Sequence, residues 1–186
     1  MQIRINDVVI SVNTGDITAW AGDLIVNASN SGLYGGGGVD GAIHRAGGPQ
    51  IAAECAVIRQ KQGGVMPGQA ALTTAGRLPN LGIIHTVGPI WKGGGAGEAA
   101  TLAKCYISSL ELACARGARS IAFPNISTGV YGFPRRLACQ TALAAVVDYV
   151  QSTDSGKLPL NLIAFICFEQ DNTQLYEELL RTYVTD

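Results

Sequence analysis

Charge is scarce in this chain. Asp, Glu, Lys and Arg make up 15% of its 186 residues, against about 25% in an ordinary soluble domain. The two signs nearly cancel, 13 Lys and Arg against 14 Asp and Glu, for a net charge of −1. Such a balance supplies no overall field to gather DNA or an anionic membrane, although a local basic patch stays open. Aromatics are only 6%, and no RNA-recognition motif or stacking cluster of aromatics is visible. Nucleic acid is therefore not an expected partner. No stretch approaches about 18 uninterrupted apolar residues, so no membrane span is expected. Met1-Gln2-Ile3-Arg4 leads into an alternating segment, unlike the charged-then-apolar start of a signal peptide. There are two histidines, His44 and His85, and five widely spaced cysteines with no CxxC. Neither a disulfide scaffold nor a structural zinc site is expected from that set. A reducing, cytoplasmic compartment is the expectation that follows. A P-loop (GxxxxGK[ST]) and a nucleophile elbow (GxSxG) are both missing.

What is present is a core and a surplus of glycine. Hydrophobic residues are 47%, and 24 residues are glycine, about twice the usual share of roughly 7%. Low charge with high hydrophobicity excludes a disordered chain. With 7 prolines and no three-residue glycine period, collagen is excluded too.

The pattern along the chain alternates strand and helix. Ile3, Ile5, Val8, Ile10 and Val12 have period two around Asn6-Asp7, predicting two short strands or one bulged strand. Leu24 to Val26, Ile83-Ile84, Ile121 to Phe123 and Leu162 to Cys167 are continuous apolar runs. Such runs fit strands buried on both faces, the habit of a parallel sheet. Val39, Ala42, Ile43 and Ala46 have helical spacing before Gly47-Gly48-Pro49. Ile51, Cys55 and Ile58 predict a second helix with Pro49 at its first position. Leu102 to Ala113, Leu137 to Val150 and Leu175 to Tyr183 predict three more. Asp171 and Gln174 are spaced like a capping box. Gly93 to Gly97 and Ser152 to Gly156 are predicted flexible loops, too short to divide domains. Alternation of this kind predicts an α/β layered domain.

Asn27, Ala28, Ser29 and Asn30 directly follow the first apolar run. Gly35 to Gly38 then lead into a helix near Val39. A second loop, Pro124 to Gly132, follows Phe123 and precedes a helix near Arg135. Phe168 follows Cys167. In a largely parallel sheet all three segments leave by the carboxyl edge, where open α/β sheets bind ligands. A glycine-rich loop feeding a helix presents backbone N–H groups that can hold a diphosphate without basic side chains. Gly36, Gly38 and Gly41 match GxGxxG by spacing, but too far from their strand for a Rossmann turn.

The blocks Gly15-Asp16-Ile17-Thr18, Ile25 to Asn30 and Gly35 to His44 resemble the macrodomain family. More narrowly, they resemble its MacroD-type bacterial O-acetyl-ADP-ribose deacetylases. Ile84 to Pro89 and Ile126 to Pro134 continue the match in order, so it spans about residues 3 to 183. Two departures are Ser29 and Asn125, both usually alanine in the family. The resemblance implies one macrodomain over 1–186, a three-layer α/β/α fold with a central mixed, largely parallel sheet. It implies ADP-ribose and its esters as ligands, ADP-ribosylated proteins as further partners, and no cofactor or metal. Asp16, beside Ile17, would read the adenine amino group, which an acceptor-only carboxylate suits. Phe168 would pack on the adenine. Asn30 would contact the distal ribose with Asp40 beside it, and Asn27 would support their loop. Gly37, Gly38 and Val39 would line the ligand, while Ser127, Thr128, Gly129, Val130 and Tyr131 would wrap the diphosphate. Asn30 and Asp40 are the expected catalytic pair, assisting attack by water on an ester at the distal ribose.

Read from the residues alone, plainer roles stand beside these. Asp16 can be an N-cap, and Asp40 a charge at a helix start. A Phe after a buried strand is commonly core. His44 lies one turn after Asp40, within reach of it, yet such a histidine is commonly structural; His85 and Cys167 read as packing. Arg135 and Arg136 fit either a solvated face or an acidic partner. The function follows as hydrolysis of O-acetyl-ADP-ribose, with removal of mono-ADP-ribose from Asp or Glu beside it. A non-catalytic ADP-ribose reader is the alternative, and a regulator of RNA or protein a third.

Overall fold

The computed structural model describes residues 1–154 and 156–184. Seven strands form one sheet in the order β1-β2-β7-β6-β3-β5-β4. They are β1 Gln2–Ile5, β2 Val8–Thr14, β3 Leu24–Ala28, β4 Ala70–Thr73, β5 Gly82–Thr86, β6 Ser120–Phe123 and β7 Leu162–Cys167. The five central strands run parallel, and β1 and β4 close the two edges antiparallel. The mixed, largely parallel sheet is the expected one. At its start the chain forms two strands, with Asn6 in the left-handed region (φ 51°) that a two-residue turn needs.

The helices are α1 Gly38–Gly47, α2 Pro49–Gln62, α3 Glu98–Ala115, α4 Arg135–Ser152 and α5 Gln170–Leu180. Side chains alternate across a strand, so β3, β5, β6 and β7 each feed two cores, while β2 gives Val8, Ile10 and Val12 to the first alone. Leu24, Val26, Ile84, Ile121, Phe123, Ile163 and Phe165 pack with α3, α4 and α5. Ile25, Ile83, Ala122, Ala164 and Ile166 face the other way, against Ile43 of α1 and Ile51 and Cys55 of α2. This two-sided burial is why the strands read as unbroken apolar runs, and it gives the three layers. Tyr106, Phe123, Phe165 and Tyr176 stack through the first core, with ring centroids 4.8–6.0 Å apart between successive rings.

Four local expectations change. β3 runs on through Asn27 and Ala28, so Asn27 is a strand residue and not part of the loop. The capping box at Asp171 and Gln174 does not form, because α5 starts at Gln170 and Glu169 takes the cap position without a side-chain bond. Asp171 instead sits in the first turn, where its charge suits the helix dipole. α4 extends through Ser152, shortening the loop expected from there to Gly156; Ser155 within it lies outside the described residues. β4 had no apolar run to announce it.

The Gly93 to Gly97 segment is tied down, contrary to expectation. Glu98, 3% exposed at the first turn of α3, accepts backbone N–H bonds from Lys92 (2.9 Å), Gly94 (3.1 Å) and Ala96 (2.7 Å). Its own backbone N–H, then those three, hold the carboxyl down to about 2 against the opposing effect of burial. The loop so held carries Trp91, whose N–H donates to the Tyr131 carbonyl (2.8 Å) and whose ring packs on Phe133 at 4.7 Å. Glu98 thereby braces the second glycine loop from outside. A carboxyl lowered by folding stabilises the fold above its ordinary value and loses that contribution as pH falls through the lowered one. Glu98→Gln is therefore expected to melt below wild type at neutral pH. The gap should close as pH falls from about 4.5 to about 2; a gap unchanged across that range in paired thermal melts would contradict this role.

Candidate active site

Because β2, β7, β6, β3 and β5 are parallel, the segments after each leave by one edge. There the chain places Gly15-Asp16, Phe168, the loop 124–133, the loop 29–37 and Val87 to Pro89. The three segments singled out in the sequence do come together.

Asp40 is the buried carboxylate beside them. It sits in the first turn of α1 and is 4% exposed. Asn27 donates from Nδ2 to Asp40 Oδ1 at 2.6 Å, and His44 Nε2 stands 3.4 Å from the same oxygen. Burial raises the carboxyl above its ordinary value, while the Asn27 hydrogen bond and His44 act the other way. The opposite oxygen faces the glycine loop: a Cβ on Gly36 would lie 3.3 Å from Asp40 Oδ2 and 4.0 Å from Asn30 Nδ2. Asn30 and Asp40 thus flank Gly36, where a side chain would crowd Asp40.

Asn30 also folds this loop. Its Nδ2 donates to the Gly35 carbonyl (3.3 Å), and its Oδ1 accepts from the Tyr34 N–H (3.1 Å). Gly35 (φ 76°) and Gly38 (φ 57°) take left-handed backbone, which explains glycine there. The N–H groups of Gly35, Gly36, Gly37 and Gly38 donate to no acceptor among the described residues. The same holds for Ser127, Thr128, Gly129, Val130 and Tyr131. Nine donors in two loops, one of them at a helix N-terminus, make a setting for an anion.

The second loop is built as tightly. Ser127 is left-handed (φ 65°), and its carbonyl accepts from the Phe133 N–H (3.0 Å). Thr128 Oγ1 donates to the Asn125 carbonyl (3.3 Å), and the Gly132 N–H donates to Gly129 (2.9 Å). Gly88, at the exit of β5, presses against this loop: a Cβ there would meet Ser127 Oγ at 2.1 Å. The sequence reading did not single out Gly88 or Glu98; the block Ile84 to Pro89 was the available signal for the first. Asn125 ties β6 to its neighbours, donating to Cys167 Sγ (3.6 Å) and accepting from Asn172 (3.5 Å).

The remaining candidates divide by exposure. Val130 is fully exposed and Phe168 is 81% exposed, so Phe168 is no core residue. Val39 and Tyr131 are half-buried, whereas Ile17 is buried in the α1 and α2 core. Asp16 is exposed and caps a 3₁₀ turn, its Oδ1 accepting from the Thr18 N–H (2.9 Å) and Oγ1 (2.7 Å). The cap occupies one carboxylate oxygen and leaves the other. Asn27, expected among the ligand-binding residues, has no exposed surface, and its amide nitrogen donates to Asp40. Arg135 and Arg136 pair with Glu169 and Glu178, both at 2.8 Å on the surface; exposed pairs of this kind contribute little. Burial raises the Cys167 thiol, as expected of packing.

Among the described residues, His44, Cys55 and His85 are the one group whose potential ligand atoms lie within 4.8 Å of one another. They do not fit a metal as they stand. Both His85 nitrogens have partners, Asn27 Nδ2 at 3.1 Å and Thr73 Oγ1 at 2.8 Å. Burial also pushes the Cys55 thiol up to about 11, away from the thiolate a metal needs.

The Macro domain family model matches residues 26–142, taking in both glycine loops. The chain belongs to the macrodomain family. This macrodomain is 50% identical over 171 residues to a protein of Citrobacter rodentium named O-acetyl-ADP-ribose deacetylase, covering 92% of this chain and 94% of that one. A Cronobacter turicensis protein of the same name is 50% identical over 174 residues, covering 94% and 97%. Among solved structures, the Oceanobacillus iheyensis macrodomain with ADP superposes with a TM-score of 0.92 at 38% identity, over 98% of this chain and 95% of that one. The Trypanosoma brucei macrodomain in complex with ADP-ribose gives 0.83 at 39% identity, over 92% and 68%. Among the described residues of this macrodomain, no helix is long and apolar enough to cross a membrane.

A carboxyl whose folded value is raised supports the fold below its ordinary value and weakens it as pH rises through the raised one. Asp40→Asn keeps an acceptor for Asn27 and removes the buried charge. Its melting temperature is expected to exceed that of wild type at pH near 7.5 and to converge with it in acid; a lower value near pH 7.5 would contradict the burial argument.

Proposed function

We propose that this macrodomain binds ADP-ribose esters at the carboxyl edge and hydrolyses O-acetyl-ADP-ribose. One observation carries the reading: a buried carboxylate and an asparagine flank a bare glycine, between two loops in which the N–H groups of 35–38 and 127–131 donate to no acceptor among the described residues. The names of the relatives support it. In this reading the N–H groups of 35–38 and 127–131 hold the diphosphate, with Val39 beside them. Adenine meets the unoccupied oxygen of Asp16, next to Ile17, and the exposed ring of Phe168. The distal ribose lies against Asn30 and Tyr131, which places its ester near Asp40 Oδ2.

A water held by Asp40 attacks the acetyl carbonyl carbon. The water gives one proton to Asp40 as its oxygen bonds to that carbon, the bond from that carbon to the ribose oxygen breaks, the ribose oxygen takes that proton, and the acetic acid formed ionises. Acetate and ADP-ribose result. An ordinary Asp, with pKa about 3.9, is a weak base at neutral pH. Burial, by raising Asp40, makes it a better one while the Asn27 bond keeps it oriented. The same water serves a protein Asp or Glu ester at the anomeric carbon of that ribose, and mono-ADP-ribosylated proteins are the second proposed substrate. The five free cysteines fit a reducing, cytoplasmic setting.

The test is turnover of O-acetyl-ADP-ribose and of an Asp/Glu-ADP-ribosylated protein, side by side, with calorimetry of ADP-ribose. Asp40→Ala is expected to lower turnover by about 100-fold or more with ADP-ribose affinity changed only a few-fold. Tight binding by wild type without turnover of either ester would leave a reader module instead.

A further inference from the structure

Behind Asp40 runs a chain of buried polar groups that crosses three strands. Asn27 on β3 pairs with His85 on β5, and Ala71 on β4 pairs with the same His85. Thr73, two residues beyond Ala71, lies on that face as well. Thr73, His85, Asn27 and Asp40 are all buried. The Asn27 amide nitrogen stands 2.6 Å from Asp40 Oδ1 and 3.1 Å from His85 Nδ1. His85 Nε2 stands 2.8 Å from Thr73 Oγ1, which is 2.9 Å from the Thr74 carbonyl.

With Asp40 ionised, one assignment of protons gives every donor in this chain an acceptor; Cys55 Sγ, 4.0 Å from His85 Nε2, is a weaker neighbour of the same nitrogen. A backbone carbonyl only accepts, so the Thr73 hydroxyl donates to Thr74. Its oxygen then accepts from His85, which puts the ring proton on Nε2. His85 Nδ1 is left as an acceptor for one amide hydrogen of Asn27, and the other hydrogen goes to the carboxylate. Burial keeps the ring neutral, holding its value down to about 3. The other tautomer would set Nδ1–H against the Asn27 N–H. Relief would require the amide to turn over and bring Oδ1 against an oxygen of the ionised Asp40, two acceptors face to face. Asn27 Oδ1 has no partner among the described residues, so nothing on the oxygen side fixes the amide.

We infer that Thr73 and His85 are positioning residues: the Thr73 hydroxyl selects the His85 tautomer, which aims the Asn27 amide and thereby Asp40. The effect on catalysis rests on the hydrolase reading above; the tautomer itself does not.

Thr73→Val removes the hydroxyl at nearly constant shape, and Thr73→Ser keeps it. Long-range proton–nitrogen NMR reads the tautomer of His85 directly, and steady-state hydrolysis of O-acetyl-ADP-ribose reads kcat and KM. Wild type should carry the proton on Nε2. In Thr73→Val it should move wholly or partly to Nδ1, with kcat down roughly tenfold and KM within about twofold. Thr73→Ser should restore both. A wild-type proton on Nδ1, or a tautomer unchanged in Thr73→Val, would overturn the inference. So would a changed tautomer with undiminished kcat. Absence of turnover by wild type would instead defeat the hydrolase reading, and the NMR result would still decide the proton arrangement.

Discussion

Five strands running in one direction constrain everything else in this molecule. Four of them (β3, β5, β6 and β7) are buried on both faces and β2 packs one face on the core, so none can reverse without exposing apolar side chains or breaking its ladder on both sides. Their carboxyl ends therefore fall along one edge, and so do the segments that follow. Asp16, Asn30, Tyr131 and Phe168 are far apart in sequence and meet because of that shared direction. The two antiparallel strands act at the margins. β1 closes one side, while β4 brings Thr73 up to His85 and extends the polar interior beneath the edge.

At the edge itself, bare backbone stands in for side-chain charge. A side chain at Gly36 would crowd Asp40, and one at Gly88, just after β5, would collide with Ser127. The donors freed by these close passages are peptide N–H groups, whose partial charges need no counter-ion and carry no long flexible stem. That is how a chain with 15% charged residues fits the diphosphate ligand proposed for it. The one charge placed deep in the site, on Asp40, is held by an asparagine and faced by a histidine. Burial disfavours that charge and at the same time sharpens it as a base.

Much of this was legible in the sequence because it is local. Apolar runs announce strands buried on both faces, and glycine clusters mark loops where side chains would obstruct. The ordered blocks from Gly15 to Pro134 located both loops and the Asn30 and Asp40 pair. What stayed hidden is what depends on register. β4 is an edge strand of four residues, three of them half-buried, with too little apolar signal to stand out. Asn27 read as loop because polarity ordinarily marks a strand's end; here its amide nitrogen is met by Asp40 and His85 from other elements. Glu98 read as an ordinary helix start, since its three backbone donors lie in a loop whose path no spacing reveals. Phe168 read as core on residue type alone, and only the ending of β7 at Cys167 turns it outward.

The central claim is that peptide N–H groups of the two glycine loops, and not charged side chains, hold the ligand's diphosphate. Salt distinguishes the two, because ion pairs with basic side chains weaken steeply as ionic strength rises. The direct measurement is the Kd for ADP-ribose by calorimetry at about 50 mM and about 500 mM NaCl. The account predicts a change of no more than about threefold between them, and a loss of about tenfold or more would contradict it.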